Sequence, residues 1–169
     1  HNDDGTTSTE HLCDIAVPSH IATAIRQCPL EFRAGSCCAD LYPDMYIGQS
    51  IIHPYVPGQR WRSVDWARHV VNCAQDYGED DAQHNKAVAF AAGWLVHMGG
   101  DAIGHTWVNN YAGGAWDWGN MGIVSKHVAV EAYVNSKLPG AADGSLDINL
   151  DLDMDPAFIR DTLMLHDDI

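Results

Sequence analysis

Three side chains able to ligate a metal recur at four-residue intervals in GWLVHMGGDAIGHTWVNN (residues 93–110): His97, Asp101 and His105. A second pair, His127 and Glu131, repeats the interval in KHVAVE. On an α-helix, positions i, i+4 and i+8 share one flank, so each segment offers a row of nitrogen and oxygen donors. Zinc takes such donors, three or four of them at about 2.0–2.2 Å. His97 and Asp101 can serve one ion. His105, one turn further on, reaches a neighbouring ion, and one carboxylate can bridge two. The second helix completes a cluster that the first leaves open. The competing reading is a set of core histidines pinned by backbone carbonyls. Gly99, Gly100 and Gly104 lie between the donors, and each mid-helix glycine costs roughly 0.5–1 kcal/mol relative to alanine. Close approach of another helix, or of metal-bridged loops, is the expected reason for them.

The composition agrees with a metal site. Ten histidines accompany only nine Lys and Arg in 169 residues, and 23 acidic residues set the formal charge at −14. That charge excludes a basic groove that gains affinity by neutralising duplex DNA phosphates. It leaves a phosphate ligand open, because bound zinc inverts the local sign. No apolar run approaches the length of a membrane span. Five cysteines (Cys13, Cys28, Cys37, Cys38, Cys73) include no C-x-x-C pair. Their density points to an oxidising, secreted or extracellular setting with one or two disulfides. No signal peptide is visible, and the opening HNDDGTT reads as a mature or excised terminus.

Elements that would position the donors follow from periodicity. Residues 1–17 read as a flexible lead, 18–140 as the helical domain, and 141–169 as an acidic tail or the start of a further region. VPSHIATAIRQC carries a start signal at Pro18–Ser19 and is closed by Pro29. Residues 32–58 then read as a long connection with at most one helical turn, a length that usually marks function. SVDWARHVVNCAQDYG begins at Ser63, a plausible cap, and stops at Gly78. The longest helical pattern runs from about Asp81 to about Val108, followed by the Gly/Trp loop YAGGAWDWGNMG and a helix ending at Pro139–Gly140. In LDINLDLDMD, apolar residues alternate with acids, the pattern of a short half-buried strand whose acidic face is a calcium candidate. PAFIRDTLMLH reads as a closing helix. The expected fold is all-α, a helical bundle with a short C-terminal strand.

Together, GWLVHMGGDAIGHTW and KHVAVE resemble the zinc-dependent phospholipase C family, to which the single-strand-specific zinc nucleases are more distantly related. Three further stretches agree in order. PSHIATAIR is similar to the family's first helix, and places a ligand at His20. FRAGSCCAD is similar to its A-G-x-x-x-P-D turn, with Ala39 where proline is usual, and places the loop aspartate at Asp40, with Asp44 as fallback. IIHPY puts a ligand at His53. The resemblance implies an all-α fold and two to three zinc ions. One would be held by Asp40, His53, His97 and Asp101, and a second by His105, His127 and Glu131. Asp101 would bridge to a third, with His20. Many members complete that third site with an N-terminal Trp, whereas here no Trp precedes Trp61. The Asp101–His105 interval is shorter than in the secreted bacterial enzymes. It matches the branch containing the catalytic domain of glycosylphosphatidylinositol-specific phospholipase D.

The implied activity is phosphoester hydrolysis, with a phospholipid or another phosphodiester as substrate. Paired zincs lower the pKa of a shared water towards ~7 and clamp phosphoryl oxygens. Asp40, at the cluster's edge, would take the water's proton. Trp107, Tyr111, Trp116 and Trp118 follow the metal helix closely; at the site mouth they would bind substrate and touch a membrane surface transiently. Packing the end of the bundle is their other expected role. A nuclease acting on single strands, with aromatics stacking bases, is the rival enzyme. A non-catalytic, zinc-stabilised binding domain is the third reading.

Overall fold

The computed structural model describes residues 16–37, 62–78, 80–138 and 153–163, and its secondary structure is helical throughout. Among the described residues six helices follow one another: α1 (Ser19–Gln27), α2 (Pro29–Gly35), α3 (Ser63–Asp76), α4 (Asp81–Ala112), α5 (Met121–Asn135) and α6 (Pro156–Leu163). The all-α expectation holds. No strand occurs among the described residues, and most of the alternating acidic stretch, residues 146–152, lies outside them.

Helix α4 is the axis of the molecule. At 1.5 Å per residue, its 32 residues run about 48 Å. The Asp80 carboxylate caps its start by accepting from the Gln83 amide at 2.8 Å. Gly113 ends it in the left-handed conformation at φ 91°, its amide donating to the Asn109 carbonyl. The first half of α4 carries the core. Ala87, Phe90, Ala91 and Trp94 bury themselves against Ala34 of α2, Val70 and Ala74 of α3, and Phe158 of α6. Ala89 packs on the other side with Ala24 and Cys28. Helix α5 packs against the second half, where its His127 and Glu131 meet His105; its cap is Asn120, whose side chain accepts from the Gly122 and Ile123 amides. Core and candidate site therefore divide one helix between them.

Pro29 does not simply close α1. It occupies the first turn of α2, where its missing amide proton costs nothing and its fixed φ suits a helix. Helix α2 thus runs through Pro29–Gly35, and only its last four residues enter the stretch expected to be mainly connection, within the one turn allowed there. Glycine has a packing role here, though not where the sequence placed it. No described atom would come within 4 Å of a Cβ added at Gly99, Gly100 or Gly104. At Gly93 an added Cβ would lie 2.0 Å from the Phe32 carbonyl oxygen, and at Gly35 2.0 Å from that of Phe90. These two glycines let α2 and α4 cross backbone to backbone.

At the other end of the chain, Lys86 Nζ pairs with Asp153 Oδ2 at 2.7 Å. The Tyr77 hydroxyl donates to Asp155, and that bond pushes the Tyr77 pKa up to about 12. Both aspartates of the described acidic stretch are thus occupied in tying α6 to α3 and α4. No disulfide joins Cys28, Cys37 and Cys73 to one another. The expected bridges are therefore not found among the described residues, and Cys13 and Cys38 lie outside them. Burial raises the pKa of the Cys28 and Cys73 thiols.

Candidate metal centre

The donor rows predicted on α4 and α5 face each other. Along α4, His97 Nε2 lies 3.2 Å from Asp101 Oδ2, and His105 Nε2 3.8 Å from Asp101 Oδ1. Across to α5, Glu131 Oε1 is 3.4 Å from His105 Nε2 and 3.0 Å from His127 Nε2. One carboxylate oxygen therefore addresses imidazoles from both helices. The ligand atoms of His105, His127 and Glu131 all lie within 4.8 Å of one another. A tetrahedral ion with bonds of about 2.05 Å holds its donors about 3.3 Å apart. The four carboxylate–imidazole separations, 3.0 to 3.8 Å, bracket that value.

The chemistry of the donors supports the same fit. His97 Nδ1 lies 2.9 Å from the backbone carbonyl oxygen of Ser36. A carbonyl only accepts, so Nδ1 carries the hydrogen, and in the neutral ring Nε2 is a bare lone pair. That lone pair points at a carboxylate oxygen 3.2 Å away. Two electron-rich atoms so close require a cation or a proton between them. A ligating histidine typically donates its other ring nitrogen to a carbonyl or carboxylate, and His97 has that arrangement. His127 is 2% exposed, and its Nδ1 is buried with no hydrogen-bond partner among the described residues. In the metal-free protein, the hydrogen bond from His105 holds the Glu131 carboxyl below its ordinary range, and Glu131 holds the His105 imidazole above its own. The donor set thus fits zinc: three imidazoles and two carboxylates from two helices, with one ring locked by a backbone acceptor.

The remaining predicted residues are distributed unevenly. His20 is exposed in the first turn of α1. Asp40, its fallback Asp44, and His53 lie outside the described residues. Trp116 stands edge-on to the His127 ring at 5.0 Å and meets Trp118 edge-on at 4.9 Å. Trp107 and Tyr111 pair with each other at 4.6 Å and are 45% and 61% exposed. At 100° per residue, Trp107 sits about 160° round α4 from His105. Of the four aromatics expected at the site mouth, Trp116 stands directly beside a donor ring. Sequence spacing gave no sign of the Ser36 carbonyl, since every residue has one and only the helix crossing selects it.

Comparison with known families decides the assignment. A family model described as zinc-dependent phospholipase C matches residues 9–159. The chain belongs to the zinc-dependent phospholipase C family. Comparison with curated proteins and with solved structures returns no match. The family matches most of the chain, including α6, and its zinc dependence agrees with the donor cluster on α4 and α5. No described helix is long and apolar enough to cross a membrane.

Proposed function

We propose that this member of the family is a zinc-dependent phosphodiester hydrolase of the phospholipase C type. The observation carrying the reading is the convergence of Asp101, His105, His127 and Glu131 from two antiparallel donor rows, at separations suited to zinc. His105, His127 and Glu131 would hold one ion, and His97 and Asp101 would contribute to another. Zinc there supplies Lewis-acid polarisation of a phosphoryl oxygen and a water of lowered pKa. The protein's own part is to orient and to exclude water. Ser36 fixes the His97 ring, Trp116 walls the His127 ring, and the two carboxylates set a charge that favours a divalent cation. Asp40 remains our candidate for the proton acceptor and His53 and His20 for further ligands, on the strength of the resemblance. Trp116 is the favoured substrate-side aromatic because it adjoins a donor.

The test begins with metal analysis of protein purified without chelator, where two to three zincs per chain are expected. The loaded protein is then incubated separately with a choline phospholipid, an inositol phospholipid and single-stranded DNA. Release of a phosphorylated head group supports the reading. Cleavage of DNA alone would turn it towards the nucleases, and protein that binds zinc yet cleaves none of the three would make it a binding domain. No bound metal at all ends it.

A further inference from the structure

We infer that the Gly35–Gly93 crossing positions the His97 ligand, by holding the end of α2 where its Ser36 carbonyl fixes the ring; this rests on the metal reading above. Gly93 lies one turn before His97 on α4, and Gly35 directly precedes Ser36 on α2. Both glycines are buried. A Cβ on Gly93 would meet the Phe32 oxygen at 2.0 Å and the Ser36 nitrogen at 2.8 Å. Those two atoms form the 3.1 Å hydrogen bond that closes the last turn of α2. A methyl group at Gly93 would therefore land on that bond. The reciprocal substitution at Gly35 strikes the Phe90 carbonyl of α4. Neither clash involves a flexible side chain that can swing aside, so the helices must separate.

Separation matters because the Ser36 carbonyl oxygen is next along the chain and reaches His97 Nδ1 at 2.9 Å. A displacement of one methyl radius takes that contact beyond hydrogen-bond range. The ring then loses what selects its Nδ1–H tautomer, and Nε2 ceases to be a committed donor for metal. The α2 terminus adds to the effect, since the last carbonyls of a helix carry partial negative charge that favours a hydrogen-bond donor facing them. Gly35 and Gly93 are positioning residues in this account: neither touches metal or substrate.

The experiment has two parts. In zinc-loaded wild-type protein, nitrogen-15 spectra of the histidine rings report which ring nitrogen carries the hydrogen. His97 protonated at Nδ1 is the expected result, and His97 protonated at Nε2 overturns the inference. In Gly93→Ala, the His97 signature should move away from the Nδ1–H form, and zinc affinity by chelator competition should fall roughly 10–100-fold, the usual cost of losing an outer-shell partner. A folded Gly93→Ala with lowered Tm but unchanged Kd and unchanged tautomer makes the crossing structural only and overturns the positioning role. Should that variant not fold, the wild-type tautomer alone decides. Wild-type protein that binds no zinc removes the metal reading and this inference together, whereas zinc-binding wild type with an indifferent Gly93→Ala removes only the second.

Discussion

Glu131 is the residue on which the two donor rows meet, since one of its oxygens addresses His105 and His127 together. Glu131→Gln keeps the shape and removes the charge, and should lower the zinc stoichiometry by one as measured by metal analysis. Asp101→Ala should remove more, because Asp101 adjoins both His97 and His105. Unchanged metal content in either variant would contradict the assignment. The metal-free protein carries a pH signature. His105 is raised from 6.5 by Glu131, so its contribution is complete below pH 6.5 and is lost as pH rises through the raised value. Glu131 is lowered from 4.5, so its contribution is complete above pH 4.5 and is lost as pH falls through the lowered value. The pair thus stabilises most between pH 4.5 and 6.5. The Tm difference between chelated wild type and chelated Glu131→Gln should peak inside that window. A flat difference would count against the pairing. These donors were legible in the sequence because their spacing alone puts them on one flank. The Ser36 carbonyl was not, because a backbone acceptor has no residue type to read.

At the scale of elements, legibility followed local signals. Helices α3, α4, α5 and α6 were readable from apolar periodicity and from signals such as Ser63 and Gly78, although α4 runs on past the expected Val108 to Ala112. The cap of α3 shifted by one residue, to Arg62, whose amide donates to the Asp65 carboxylate at 2.8 Å. Helix α2 was missed because Pro29 signals both an ending and a beginning, and seven residues leave little period to count. The glycines were misread for a related reason. Gly99, Gly100 and Gly104 crowd the donors in sequence, yet the close approach falls at Gly35 and Gly93, and only tertiary packing distinguishes them. Asn120 gives this scale its prediction. It caps the helix that delivers His127 and Glu131, so Asn120→Ala should cost about 1 kcal/mol of stability, read by denaturant melting of the metal-free protein. Added zinc should reduce the deficit, since binding to the native state alone stabilises it by mass action.

Across the whole molecule, the hydrophobic core and the donor cluster occupy opposite halves of α4. Phe158 is 1% exposed and packs on Phe90 and Tyr77. Phe158→Ala should therefore cost roughly 3–5 kcal/mol in denaturant unfolding while leaving zinc per folded chain unchanged. Coupled loss of both would show that the halves are not energetically separable. The charge of −14 argues against a basic groove for duplex DNA and leaves the metal reading open. The disulfide expectation failed among the described cysteines because thiol count alone says nothing about proximity: Cys28 is buried between α1 and α2, whereas Cys73 is half-buried on α3 beside His69 and the Asp161 carbonyl.

The eight residues between α4 and α5 have one more implication. The five donors on α4 and α5 fall within a helical hairpin, so the polypeptide between His97 and Glu131 forms a short closed circuit once an ion is seated. A chelator should then loosen that hairpin selectively. Amide hydrogens in the second half of α4 and throughout α5 should exchange with deuterium faster, while those around Phe90 and Trp94 keep their protection.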